Sequence, residues 1–139
     1  MKKLPDALII TAGAGMSTDC GLPDYKGSEK WENKLPIVKK LNLKYTDLAD
    51  PKWFYTKPEI GWGFYGARLQ MYNDAVPHQG YHDLLEFAKK MPFGYGVITS
   101  NVDTLFRRAG FSSEKTEQLH GSIIKAQCTY NCNEEIWDI

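Results

Sequence analysis

The feature that most constrains this chain is an apolar run that stops at a glycine turn. Residues Ala7-Leu8-Ile9-Ile10-Thr11-Ala12 are apolar and partly β-branched, and Gly13-Ala14-Gly15 ends them abruptly. Such a run reads as a buried parallel strand. Met16-Ser17-Thr18-Asp19-Cys20 then opens a helix, and Gly21-Leu22-Pro23 stops it. Strand, tight turn and helix in that order is the opening unit of a parallel α/β sheet.

The rest of the chain continues that alternation. From Asp24 to Pro58 the sequence is rich in Lys, Asn, Asp and Pro, yet it carries Leu35, Ile37, Val38, Leu41, Leu43, Trp53 and Phe54. That apolar content predicts an ordered insertion with short helices rather than a linker. Helices are expected over Glu59 to Asn73, with Ile60, Phe64, Ala67 and Met71 on one face, and over Tyr81 to Lys90, with Tyr81, Leu84, Leu85 and Ala88. Pro77 sits where a helix start tolerates it. Tyr95-Gly96-Val97-Ile98-Thr99 is the second strand, and a helix from Asp103 to Ala109 stops at Gly110. Short third and fourth strands are expected around Thr116 to Leu119 and Ile123 to Gln127.

In a parallel sheet, ligands collect at the carboxyl ends of the strands. Those ends are Gly13 to Ser17, then Ser100 to Asp103, then His120-Gly121. All three are polar or glycine-rich, as a shared cleft requires. The glycine turn suits close backbone approach to an anion, although a tight strand-to-helix turn would need the same residues. It is not a dehydrogenase fingerprint: Thr18 stands at the third glycine position, and Lys39 and Lys40 stand where the acidic residue belongs. Among the histidines, His78 and His82 fall at and inside a helix start, where capping or solvation explains them. His120 stands at a strand end beside a glycine.

Composition limits the partners. Seventeen Lys+Arg balance seventeen Asp+Glu over 139 residues, which argues against a nucleic-acid or polybasic membrane role. The run Ala7 to Ala12 is too short to span a bilayer, and Met1-Lys2-Lys3 before Leu4-Pro5-Asp6 is no signal peptide. Three cysteines form no secreted disulfide pattern, so a reducing cytoplasm is expected.

Four ordered motifs sharpen this reading. They are Gly13-Ala14-Gly15-Met16-Ser17, Gly21-Leu22-Pro23-Asp24-Tyr25-Lys26-Gly27, Thr99-Ser100-Asn101-Val102-Asp103 with a trailing Ala109-Gly110, and Leu119-His120-Gly121. Together they resemble the sirtuin family of NAD-dependent protein deacylases, over about Ala7 to Cys132. The resemblance implies a partial Rossmann-like α/β sheet over residues 1–122, with a helical insertion at about 25–75. Residues 123–139 would begin a small zinc-module-like segment. It implies that Gly13, Ala14, Gly15 and Ser17 contact the NAD pyrophosphate, and that Asp24, Tyr25 and Lys26 lie on a loop over the nicotinamide side. Ser100, Asn101 and Asp103 would line the ribose and nicotinamide pocket, with Asn101 and His120 catalytic and His120 the general base. The implied substrate is an acylated lysine protein or peptide. The implied products are nicotinamide and O-acyl-ADP-ribose.

The chain departs from the family pattern in places. Tyr25-Lys26 replaces Phe-Arg, which loses the guanidinium fork, and Ser100 replaces a glutamine that reaches the ribose. Cys128 and Cys132 match half of the family's zinc site, with three intervening residues where two are usual, and no second pair follows. The sequence resembles the front half of a sirtuin. Asp103 also suits a helix cap. ADP-ribosyl transfer, NAD hydrolysis or an inert nucleotide-binding module remain as alternative functions. An incomplete sheet would further expose an edge for self-association.

Overall fold

The computed structural model describes residues 5–24, 31 and 34–139. It divides into two compact units, Met1–Leu22 with Ala75–Ile123, and Pro23–Asp74 with Ile124–Ile139.

The first unit is built on a parallel sheet of β1 (Leu8–Ala12), β2 (Tyr95–Thr99) and β3 (Thr116–Gln118), in the order β1-β2-β3. Leu8 pairs with Tyr95 and Ala12 with Thr99, while Val97 pairs with Thr116 and Thr99 with Gln118. The ladder runs on past the strand ends, with Ser100 N donating to Ala12 O at 3.1 Å and Leu119 N to Thr99 O at 2.9 Å. One face carries the buried Ile10, Val97 and Thr99. The strand expected to be buried is buried on one face only. Ile9 is 65% exposed and Ile98 40%, because side chains alternate between faces and no described element covers the second face.

Helix α5 (Gln79–Ala88) and the short α6 (Leu105–Arg108) supply the core of this unit. Tyr81, Leu85, Ala88, Leu105, Phe106 and Phe111 are all buried. Their rings meet edge to face, Tyr81 with Phe106 at 4.9 Å and Phe106 with Phe111 at 5.0 Å, a favoured aromatic geometry. Gly110 ends α6 at φ 101, a left-handed conformation, and a Cβ there would lie 3.2 Å from Leu85. Both the turn and the packing call for glycine. The helix expected over Met16 to Cys20 is a 3-10 helix, Ala14–Cys20. Its Thr18 hydroxyl donates back to Gly15 O at 2.9 Å.

The second unit holds α1 (Pro36–Lys40), α2 (Tyr45–Leu48), α3 (Lys52–Thr56) and α4 (Pro58–Asp74), with an antiparallel pair of β4 (Lys125–Gln127) and β5 (Ile136–Asp138). The short helices of the insertion are present where its apolar residues lie. α4 does not bury the face that its apolar residues predict: Gly61, Phe64, Arg68 and Tyr72 go inside, whereas Ile60, Ala67 and Met71 are half-buried. Arg68 is the reason. Its guanidinium lies 5.4–5.6 Å from the rings of Trp31, Tyr45, Phe64 and Tyr72 and donates to Tyr72 Oη at 3.0 Å. An aromatic box favours a weakly hydrated cation, and Gly61 leaves room for Phe54, 3.1 Å from where its Cβ would stand.

Candidate functional site

The site grows from the carboxyl ends of β1 and β2. Where β1 ends, Gly13 turns the chain into the 3-10 helix. A Cβ on Gly13 would come within 3.5 Å of Ser100 Oγ, and one on Gly15 would meet nothing within 4 Å. The turn therefore touches the end of β2 on one side and leaves open space on the other. Ala14 is half-buried and Gly15 exposed.

Beyond β2, the loop Ser100–Asp103 folds back onto this turn. Asn101 Nδ2 donates to Gly13 O at 2.9 Å and to Ser17 Oγ at 3.0 Å. Gly13 O can only accept, so the amide orientation is fixed and both Asn101 amide protons are engaged. Among the described residues, Asn101 Oδ1 meets no donor. Ser17 Oγ donates to Asp103 Oδ2 at 2.8 Å, and Leu105 N donates to Asp103 Oδ1 at 3.0 Å. One carboxylate oxygen of Asp103 thus serves the start of α6, where Thr104 is the N-cap residue, and the other accepts from Ser17. Ser17, Asn101 and Asp103 are all buried, and burial strengthens such bonds.

Three participants are not evident from sequence. Gln118, at the end of β3, donates from Nε2 to Asn101 O at 3.0 Å and to Asp103 O at 2.8 Å, pinning both ends of the loop. Tyr81 brings its hydroxyl to 3.2 Å from Ser17 Oγ. His78 accepts from Gly80 N through Nδ1 and lies 3.0 Å from Met16 O through Nε2. The capping role expected of His78 is therefore correct, and it also reaches the turn. The one available signal was spacing: His78 and Tyr81 flank a helix start whose buried stripe begins at Tyr81.

The remaining expected residues lie at varying remove. His120 is exposed on the turn after β3, at the same carboxyl end of the parallel sheet, and its ring has no hydrogen-bond partner among the described residues. Ser100 is half-buried beside Gly13. Asp24 belongs to the second unit, and Tyr25 and Lys26 lie outside the described residues.

Thiol chemistry differs among the three cysteines. Burial pushes the Cys20 thiol up from its ordinary range. Cys132 Sγ donates to Cys128 Sγ at 2.8 Å, and that bond holds Cys128 below the usual thiol range and raises Cys132. A structural zinc takes four ligands. Among the described residues no group of three or more His, Cys, Asp or Glu gathers at one point, and Cys128 and Cys132 alone supply two thiols.

Fold and site together define an α/β protein whose polar cluster sits at the carboxyl ends of a parallel sheet, around a glycine turn. The model of the Sir2 family matches residues 13–138, and the chain belongs to that family. It is 34% identical over 127 residues to an NAD-dependent protein deacylase of Aquifex aeolicus, covering 91% of this chain and 48% of that protein. Among solved structures it is similar to a Sir2 homolog–NAD complex, with TM-score 0.71, 29% identity, and 96% and 46% of the two chains covered. A Sir2–p53 peptide–NAD+ structure matches with TM-score 0.68 and 26% identity over 95% and 47% of the chains. The chain spans about half the length of the curated relatives it matches. No described helix is long and apolar enough to cross a membrane.

Proposed function

We propose that this chain carries the nicotinamide end of a sirtuin-type site, for NAD-dependent removal of an acyl group from protein lysine. The observation that supports this most is the buried cluster in which Asn101, Ser17 and Asp103 meet the Gly13 turn. When bound, NAD supplies an electrophilic ribose carbon with nicotinamide as its leaving group.

Each residue has a role in that reading. Gly13, Ala14, Gly15 and Ser17 hold the pyrophosphate, chiefly through backbone amides. The Ser17 hydroxyl is already engaged as a hydrogen-bond donor to Asp103. Asp103 keeps lone pairs for a carboxamide N–H, since each carboxylate oxygen accepts twice. Asn101 Oδ1 and the Asp103 carboxylate would stabilise the positive charge that builds on the ribose as its bond to nicotinamide breaks and the acyl oxygen takes the leaving group's place. His120 would act as the base that takes a proton from a ribose hydroxyl, a role worth roughly 10²–10⁴-fold in rate. Ser100, beside Gly13, completes the ribose surroundings. Residues 1–122 form the nucleotide-binding part with an insertion at about 25–75, and residues 123–139 begin the zinc-module-like segment.

The partner is an acylated lysine peptide, in keeping with the peptide in the similar Sir2–p53 structure. The free thiols suit a reducing cytoplasm. The test is incubation with NAD and an acetyl-lysine peptide, following nicotinamide. Peptide-dependent release that His120→Ala abolishes supports deacylation. Release without peptide indicates ADP-ribosyl transfer or hydrolysis, and NAD binding without release indicates an inert nucleotide-binding module.

A further inference from the structure

Ser17 Oγ has one proton and three neighbours. Asn101 Nδ2 can only donate to it, at 3.0 Å, and the Asp103 carboxylate accepts the hydrogen bond that its hydroxyl donates, at 2.8 Å. The third neighbour, Tyr81 Oη at 3.2 Å, must therefore donate. Tyr81 is wholly buried, and burial raises its phenol well above the ordinary value, so it stays a donor throughout the neutral range. Three bonds converge on one oxygen and fix its position.

His78 acts on the neighbouring peptide. Its Nδ1 accepts from Gly80 N at 3.0 Å, so the proton is on Nε2, which donates to Met16 O at 3.0 Å. A trans peptide points its C=O and N–H in opposite directions, so this bond also sets the Ser17 amide. The arrangement depends on residue 80. A Cβ there would lie 2.7 Å from His78 Cε1 and 2.9 Å from Nδ1, closer than such atoms approach. Only glycine lets the ring fold over its own helix start.

We propose that His78 and Tyr81, with Gly80 making room, are positioning residues that clamp the glycine turn onto α5, the phenol holding the Ser17 side chain and the imidazole the Met16–Ser17 peptide. Neither touches the ligand. They act through Ser17 on Asp103 and Asn101, and the inference about ligand affinity rests on the nucleotide-site reading proposed above.

Two variants of the full chain test this. Tyr81→Phe keeps the ring and removes the donor. Gly80→Ala favours helix by intrinsic propensity but displaces the His78 ring. In ¹⁵N-labelled protein without ligand, His78 should show the Nε2–H tautomer. Tyr81→Phe should shift the Asn101 side-chain amide, and Gly80→Ala the Met16 and Ser17 amides. An Nδ1–H tautomer, or site resonances that neither variant moves, overturns the clamp whether or not NAD binds. With ADP-ribose as probe, each variant should weaken binding about fivefold, the equivalent of one hydrogen bond, even where Gly80→Ala raises Tm. Affinity equal to wild type with a changed Tm makes the role merely structural and overturns the proposal. A wild type that binds no ADP-ribose counts against the nucleotide reading instead, and the ligand-free spectra then decide the clamp.

Discussion

The Ser17 hydroxyl donates a hydrogen bond to Asp103 Oδ2 at 2.8 Å, linking the turn after β1 to the loop after β2. The two residues are 86 apart in sequence, and both are buried. Removing the donor strands a buried carboxylate oxygen, at a cost of about 1–3 kcal/mol. Ser17→Ala should therefore lower urea stability by that amount. In a double-mutant cycle, adding Asp103→Asn should cost clearly less than the sum of the two single changes. Strict additivity in equilibrium unfolding would mean that the bond contributes nothing.

Tyr81 makes stability fall at alkaline pH. Its folded-state phenol is raised by burial, while an unfolded tyrosine titrates near about 10. The folded form then holds its proton after the unfolded form has released it. The contribution is complete below that value and is lost as pH rises through it toward the folded one. Urea midpoints measured from pH 9 to 11 (roughly spanning the unfolded value) should fall more steeply for wild type than for Tyr81→Phe. Parallel slopes would contradict this.

The cysteines should react in a set order. Cys128 is held low by the Cys132 S–H, and Cys20 is pushed up by burial. Since the thiolate is the nucleophile, limited iodoacetamide at neutral pH should alkylate Cys128 first and Cys20 last. Peptide mass spectrometry over time reads the order directly, and early labelling of Cys20 would contradict it.

How far the sequence was legible differs by element. β1, β2 and the glycine turn were plain because one short apolar run closed by glycine admits few structures. Asn101 and Asp103 were recognisable by their place at a strand end. Gln118 was not, since a polar residue on a three-residue strand gives no sign that its amide bonds two carbonyls of a neighbouring loop. The α4 face was misjudged because hydrophobic periodicity excludes Arg68 and Gly61, although an aromatic box and a close ring are what those positions serve. β5 was missed because Ile136–Asp138 is too short to show alternation, and its pairing with β4 spans the loop that holds Cys128 and Cys132.

The sheet's open side carries its own consequence. Among the described residues β1 lies at an edge of the sheet, and Ile9 and Ile98 are exposed on one face of it. Unpaired strand edges and open apolar faces promote association. Sedimentation should show concentration-dependent self-association that Ile9→Lys reduces. A clean monomer at high concentration would oppose it.

Nothing tests the nicotinamide-end assignment more directly than an NAD titration of the ¹⁵N-labelled chain. Perturbed amides should cluster at Gly13, Gly15, Ser17, Asn101 and Asp103, with His120 ring signals moving alongside them. NAD that leaves those resonances still, or shifts only residues remote from the strand ends, would contradict the assignment.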